Sequence, residues 1–224
     1  MYTLDFSVLL EAKDLIFQGL LMTLKISLLS SFFAFLFAVF VTYIRVLPCK
    51  ATKYFINIYV ELVRNIPLLI QLYIIYKVYP HFGLSFKPVD CGIIALSIYT
   101  AAYISEVLRS GMNSVAKEQS QAAYGLGLNH FQTFFIITFP QAIQIVIPAL
   151  GSQFINLIKN SSLVSFIAVV DIFYVIYKGA ADDFRIYEFF LLGAVIYMIL
   201  TGFVALATNF AESYFKVFGR EVRV

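Results

Sequence analysis

Near its middle the chain places amides and an ammonium in an otherwise apolar stretch: Gln153, Asn156, Lys159 and Asn160. Helical spacing (i, i+3, i+7) puts Gln153, Asn156 and Asn160 on one face. Ser161, Ser162 and Ser165 follow directly. A lipid-facing helix would not carry such a stripe. It either hydrogen-bonds to neighbouring helices, at ~0.6 kcal/mol per contact, or forms the wall of a polar translocation path. An uncompensated lysine such as Lys159 favours the path. Ser97, Tyr99, Thr100 and Tyr103 supply hydroxyls in a second apolar stretch, and Pro67 and Gln71 in a third can kink a helix and line the same cavity. Glu61 with Arg64, and Glu106 with Arg109, stand three residues apart, so each couple is expected to close an internal salt bridge near the inner membrane surface.

Bond-making chemistry finds no such support. The chain has no GxxxxGK[ST] phosphate loop, no HExxH or CxxC and no Cys/His cluster. His81 and His130 are far apart and read as loop residues, while Cys49 and Cys91 read as small apolar fillers. Neither a metal nor a cofactor is expected, and a membrane-embedded enzyme would need a nucleophile–base set that is missing.

The elements that position these residues follow from composition. Of 224 residues 61% are hydrophobic and 13% charged. A soluble domain is nearer ~45–50% and ~25%, so lipid is the expected solvent. The net charge of +3 is too small to point to nucleic acid. A transmembrane helix needs about 20 apolar residues. Ile26–Ile44 and Phe189–Ala211 are uncharged spans. Cys91–Ser105 is a third, extending from near Pro88 to near Arg109, and Tyr54–Tyr79 is a fourth, interrupted by Glu61 and Arg64. Residues 119–158 are uncharged for about twice one span. Their first half is polar and contains Gly125, Gly127 and Asn129, so it reads as two short surface helices, with a fifth span starting at Pro140.

Lys and Arg set the orientation. Arg45, Lys50, Lys53, Arg109, Lys117, Lys216, Arg220 and Arg223 gather on one side, which predicts the N-terminus outside and the C-terminus inside. Cys49 and Cys91 then face opposite sides and cannot pair. Asp5, Glu11, Lys13 and Asp14 precede the first apolar run without a basic n-region, so no cleavable signal peptide is expected.

The inner segment between spans three and four runs Glu118-Gln-Ser-Gln-Ala-Ala-Tyr-Gly-Leu-Gly-Leu-Asn-His-Phe-Gln-Thr-Phe-Phe-Ile-Ile-Thr-Phe-Pro140. Ala122, Ala123 and Leu126 favour a helix, Gly127 can end it in the left-handed region, and Asn129 can cap the next. Pro140 is expected to break that second helix. The pattern resembles the EAA loop of ATP-binding-cassette (ABC) importer permeases: Glu-Ala-Ala, three residues, Gly, nine residues, Ile-x-Leu-Pro. Gln121, Ala122, Ala123, Gly127, Ile137 and Pro140 stand at those spacings, with Gln121 replacing Glu and Phe139 replacing Leu. Further stretches resemble the polar-amino-acid permease subfamily: Gly19-Leu-Leu-Met-Thr-Leu-Lys, Glu61-Leu-Val-Arg-Asn-Ile-Pro, Ala101-Ala-Tyr-Ile-Ser-Glu-Val-Leu-Arg, Pro148-Ala-Leu-Gly and Lys159-Asn-Ser-Ser.

That resemblance implies an all-α membrane protein of the type I ABC importer permease fold, with five transmembrane helices and a cytosolic coupling helix. Residues 1–224 would form one permease domain, with 115–139 as the coupling loop within it. The permease would pair with an identical copy or a paralogue in the inner membrane. A cytosolic ABC ATPase dimer would dock on Glu118, Gln121, Ala122, Ala123, Gly127 and Pro140 and would bind the ATP, so this chain would be no enzyme. An extracytoplasmic amino-acid-binding protein would deliver the substrate. Residues at the positions that line the amino-acid pocket in this subfamily are Tyr99, Thr100, Gln153 and Asn156. Gln153 is neutral, which suits a neutral or amide amino acid. The alternative class, a secondary transporter or channel with its own driving force, would call for an inverted repeat or an intramembrane proton-relay acid. The sequence has no clear internal repeat.

Overall fold

The structure, a computed structural model, describes residues 4–221, with side chains through Phe215. The side chains of Lys216 and Arg220, and all of Arg223, lie outside the described residues. The described chain is helical, without strands.

Helix α1 (Ser7–Glu11) is one short turn, and α2 (Lys13–Val46) is an unbroken rod of 34 residues rich in Leu and Phe. Helix α3 (Lys50–Asn65) is amphipathic: Lys53, Asn57, Glu61 and Arg64 recur at helical spacing on one face. It stops at Ile66 and Pro67, both extended, with ψ of 129° and 136°. Proline lacks an N–H and crowds the residue before it out of the α region, so the helix cannot cross this point. It restarts as α4 (Leu68–Tyr73), where the amides of Ile70 and Gln71 both donate to the Pro67 carbonyl, and runs through a π turn to a short 3₁₀ turn ending at Phe82. The span expected over Tyr54–Tyr79 is therefore two helices with a break between them.

Helix α5 (Pro88–Ser114) carries the third span, and α6 (Lys117–Gly125) and α7 (His130–Gln132) follow. Pro140 does not break the chain as expected. Helix α7 continues through a π turn at Thr133–Thr138 into α8 (Phe139–Asn160), and Pro140 sits in the first turn of α8. A proline is tolerated in a first turn, and side chains add donors to carbonyls in and beside the wide turn before it. Thr138 Oγ1 donates to the Phe134 and Thr133 carbonyls at 3.4 and 3.3 Å, and Gln141 Nε2 donates to that of Ile137 at 2.8 Å. A 3₁₀ turn (Ser161–Ile167), α9 (Ile172–Asp182) and α10 (Ile186–Glu221) complete the chain. Helix α9 was not foreseen: at 11 residues it is too short to span a bilayer.

Four helical stretches are long and apolar enough to cross a membrane: Lys13–Val46, Pro88–Ser114, His130–Ile167 and Ile186–Phe215. The broken pair α3 and 68–82 is the fifth candidate. On α10, Phe203, Leu206 and Phe210 are each about two-thirds or more exposed, as lipid would require.

The chain forms two compact units. One comprises residues 4–32, 67–97 and 155–203. Its core is Ile172, Ile176, Ala180 and Phe189, packed by Val8, Leu9 and Ile16. The other comprises 33–66, 98–154 and 204–221. There Ala34, Ala38, Ala101, Ile104, Leu108, Val146 and Leu150 form one cluster, and Val41, Val60 and Ala102 a second. Gly151 marks a close crossing in this unit. A Cβ on it would lie 2.3 Å from Thr208 Oγ1 and 2.4 Å from Thr208 Cγ2.

Candidate functional site

The α6–α7 segment is built to hold one shape. Gly127 has φ +82°, and a side chain there would be strained whatever the space around it. The Leu128 amide donates to the Ala123 carbonyl and the Gly127 amide to that of Tyr124. This six-to-one, five-to-two pair is a Schellman ending, so Gly127 caps α6 as its type predicts. Asn129 then begins α7 with a complete capping box. Its Oδ1 accepts from the Gln132 amide and the Gln132 Oε1 accepts from the Asn129 amide, both at 2.9 Å. Tyr124 and His130 close the turn by an Oη to Nδ1 hydrogen bond of 2.9 Å.

Aromatic rings fasten this segment to the rest of its unit. Tyr43 on α2 meets Phe131, Phe134 and Phe135 with ring centroids 5.2–5.8 Å apart. Phe134 is buried. Ala123 is buried too, whereas Glu118, Gln121 and Ala122 are exposed and Pro140 is half-buried. One face of α6 is thus anchored and another left open.

The six candidate path residues divide between the units. Tyr99, Thr100 and Gln153 belong to one; Gln71, Asn156 and Lys159 belong to the other. Thr100 is buried and Tyr99 half-buried, with its hydroxyl donating to that of Tyr103 at 3.3 Å. Gln153 is half-buried and its side chain has no hydrogen bond among the described residues, so its amide group remains available. Asn156 and Lys159 are exposed and Gln71 is half-buried. The serines after Asn160 do not extend the stripe. Ser161, Ser162 and Ser165 each donate to the carbonyl three residues back, at 2.7–2.8 Å, within the 3₁₀ turn.

The ionic pairs differ from expectation. Glu106 does pair with Arg109, through Nε at 3.1 Å and NH2 at 2.8 Å. It also pairs with Arg45 from α2, and Arg64 from α3 approaches it at 3.9 Å. The expected Glu61–Arg64 bridge is not formed. Arg64 instead lies over the Tyr103 ring, 5.3 Å from its centroid, while the Tyr103 hydroxyl donates to the Arg64 carbonyl at 3.3 Å. Glu61 makes no ion pair among the described residues. Three-residue spacing indicates which groups can meet, but here a richer partner on α5 draws Arg64 away. Arg45 carried no signal beyond marking a membrane side.

Asp171 is a second unforeseen feature. It is fully buried, and its Oδ1 caps α9 by accepting from the Tyr174 amide at 2.9 Å. Nearby, Thr23 Oγ1 accepts from the Ile172 amide at 3.0 Å. Burial pushes the Asp171 carboxyl up to about 6, against the lowering effect of the amides at the start of α9. Cys49 and Cys91 are both free thiols. Among the described residues no group of His, Cys, Asp and Glu could hold a metal.

Residues 34–212 match the family described as binding-protein-dependent transport system inner membrane component. The chain is 34% identical to the probable glutamine ABC transporter permease protein GlnM of Bacillus subtilis strain 168, covering 93% of this chain and 97% of that protein. It is 33% identical to the L-cystine transport system permease protein TcyB of the same organism, covering 87% and 83%. Against the glutamate/aspartate import permease protein GltK of Escherichia coli O6:H1 it is 30% identical, covering 96% and 98%. Among solved structures, an amino acid ABC transporter with histidines superposes with a TM-score of 0.84 at 31% identity, covering 95% of this chain and all of that one. The inward-facing MetNI methionine ABC transporter shares the fold, with a TM-score of 0.78 at 18% identity, covering 92% of this chain and 98% of that one.

Proposed function

The chain belongs to the family of binding-protein-dependent transport system inner membrane components, and from that membership we propose that it provides the path by which a polar amino acid is imported. It is a multi-pass inner-membrane permease subunit of an amino-acid ABC transporter, with the fold of type I importer permeases. The relatives are ABC permeases, so a secondary transporter with its own driving force is set aside. ATP is hydrolysed by a separate subunit in this family, and the chain has no phosphate loop of its own.

The finer reading assigns the parts. The whole of 1–224 acts as one permease domain, and 115–139 couples it to a cytosolic ATPase dimer. The open face of α6, with Glu118, Gln121 and Ala122, is offered to the ATPase. Ala123, Gly127 and Pro140 hold that face in position. A second permease copy or a paralogue completes the path, and an extracytoplasmic binding protein loads it. The N-terminus lies outside and the C-terminus inside. Gln71, Tyr99, Thr100, Gln153, Asn156 and Lys159 line the path, and the neutral Gln153 suits a neutral or amide amino acid.

The observation that carries this reading is the α6–α7 segment: a Schellman ending and a capping box fix a short helix whose outer face is open. Gly127→Asp tests it, because aspartate at φ +82° strains the turn. Affinity purification of the tagged chain from gently solubilised membranes should recover an ATPase subunit with the native chain and lose it with the variant. A native chain that purifies alone while keeping its dimer would overturn the proposal.

A further inference from the structure

The polar face of α3 meets the last turns of α2 and α5 around a cleft of about 360 Å³. We propose that this cleft binds a phosphate-bearing anion, either the headgroup of an acidic lipid or free phosphate. Its charge carries the argument. Arg45, Lys53, Arg64 and Arg109 line it against Glu61 and Glu106, and Val60 is the one apolar residue in its lining. Four cations against two acids leave two positive charges without a counter-ion. Three of the cations converge on the single carboxylate of Glu106. One carboxylate cannot neutralise three guanidinium groups.

The hydrogen bonds point the same way. The Arg45 side chain is nine-tenths buried, and its Nε has no acceptor among the described residues. A buried guanidinium N–H without a partner is an uncommon and costly state. Planar guanidinium forks match phosphate oxygens in both spacing and charge. Lys53 is half-buried in the same cleft, without an ion pair among the described residues. The fold therefore supplies donors in excess of the acceptors it contains.

The location gives occupancy a use. Arg45 and Tyr43 stand two residues apart on α2. One reaches the cleft, and the other packs on Phe131 of α7 and on Phe134 and Phe135 of the π turn that follows it. Arg109 lies in the last turns of α5, directly before that segment. An anion in the cleft braces the base on which the segment rests. That role in coupling rests on the proposed function, whereas the anion site does not.

The test uses Lys53→Gln and Glu61→Gln in the full-length chain. Neither side chain holds an ion pair among the described residues, so both variants should fold, which circular-dichroism melting checks. Native mass spectrometry of the purified chain should show phosphatidylglycerol retained over phosphatidylcholine. Retention should fall about fivefold in Lys53→Gln and rise about fivefold in Glu61→Gln, the effect of one charge near such a site. If inorganic phosphate follows the same two shifts by calorimetry and phosphatidylglycerol shows no preference, the anion is free phosphate. If neither probe responds to either substitution, the proposal is overturned. Recovery of the ATPase subunit with the native chain is a separate readout, so the cleft and the transport function can fail independently.

Discussion

Glu106 and Asp171 each carry a carboxylate into the fold, in different units and by opposite means. Glu106 draws cations from three helices, Arg45, Arg64 and Arg109, and keeps a fifth of its side chain exposed. Asp171 is fully buried and makes no ion pair among the described residues. Its support is the amide of Tyr174 and the positive end of α9, while its Oδ2 has no hydrogen-bond partner there. An over-supplied acid ties helices together and leaves positive charge to spare. An under-supplied one keeps its proton to a higher pH, which is why burial raises Asp171 to about 6.

Substitutions should separate the two cases. Glu106→Gln is expected to have the largest effect, because it leaves three guanidinium groups around a neutral amide. Arg45, the buried member, loses its ionic partner, which costs up to about 3 kcal/mol, and the thermal midpoint of the purified chain should drop by several degrees. An unchanged midpoint would show that the cluster does not bind these helices together. Asp171→Asn should act in the other direction, by a comparable amount at most. The folded-state value of about 6 lies above the ordinary 3.8, so the protonated form is favoured by folding. Stability from this group is full below 3.8 and is lost as pH rises through 6. Asparagine keeps the cap and removes the charge, so the variant should be more stable at pH 7.5 by up to ~3 kcal/mol. The gain should vanish near pH 4. A gain that is the same at both pH values would rule out the charge as its origin. Arg109→Gln should matter least. Its side chain is half exposed, and a solvated pair contributes ~1 kcal/mol or less. A loss as large as that of Glu106→Gln would mean that Arg109, rather than the buried Arg45, anchors the cluster.

The same contrast shows what the sequence discloses. Contiguous patterns were readable. Gly127 and Asn129 form the turn and cap that their types predict, and the long apolar runs are helices. Features that depend on distant partners were not readable. Glu61 and Arg64 have the right spacing for a pair, yet Arg64 turns to Tyr103 and Glu106, which only the packing of α3 near α5 makes possible. Pro140 reads as a breaker because proline removes one hydrogen bond from a regular helix. In the structure it falls in the first turn of α8, where proline is tolerated, and the helix runs into it through a π turn. Asp171 carries no local mark in the sequence. Nothing local shows that α9 folds into a core with Ile172 and Ile176 and takes its cap along. The candidate path residues were legible as a polar stripe on one helix, but the three serines beyond it are taken up by their own backbone.

Gly151 and Thr208 bind two distant positions into one inheritance. Their crossing leaves no room for a Cβ on residue 151, so a lineage cannot enlarge that position first. Such an intermediate would be overpacked by roughly 1–3 kcal/mol. Thr208 must shrink beforehand, to glycine if nothing else is to move, because its Cβ too would lie 2.8 Å from one on residue 151, and once residue 151 has grown the return path is closed in the same way. The order of substitutions at this crossing is therefore directional: relatives with a larger residue at 151 should carry a smaller one at 208, whereas a smaller 208 can stand beside Gly151.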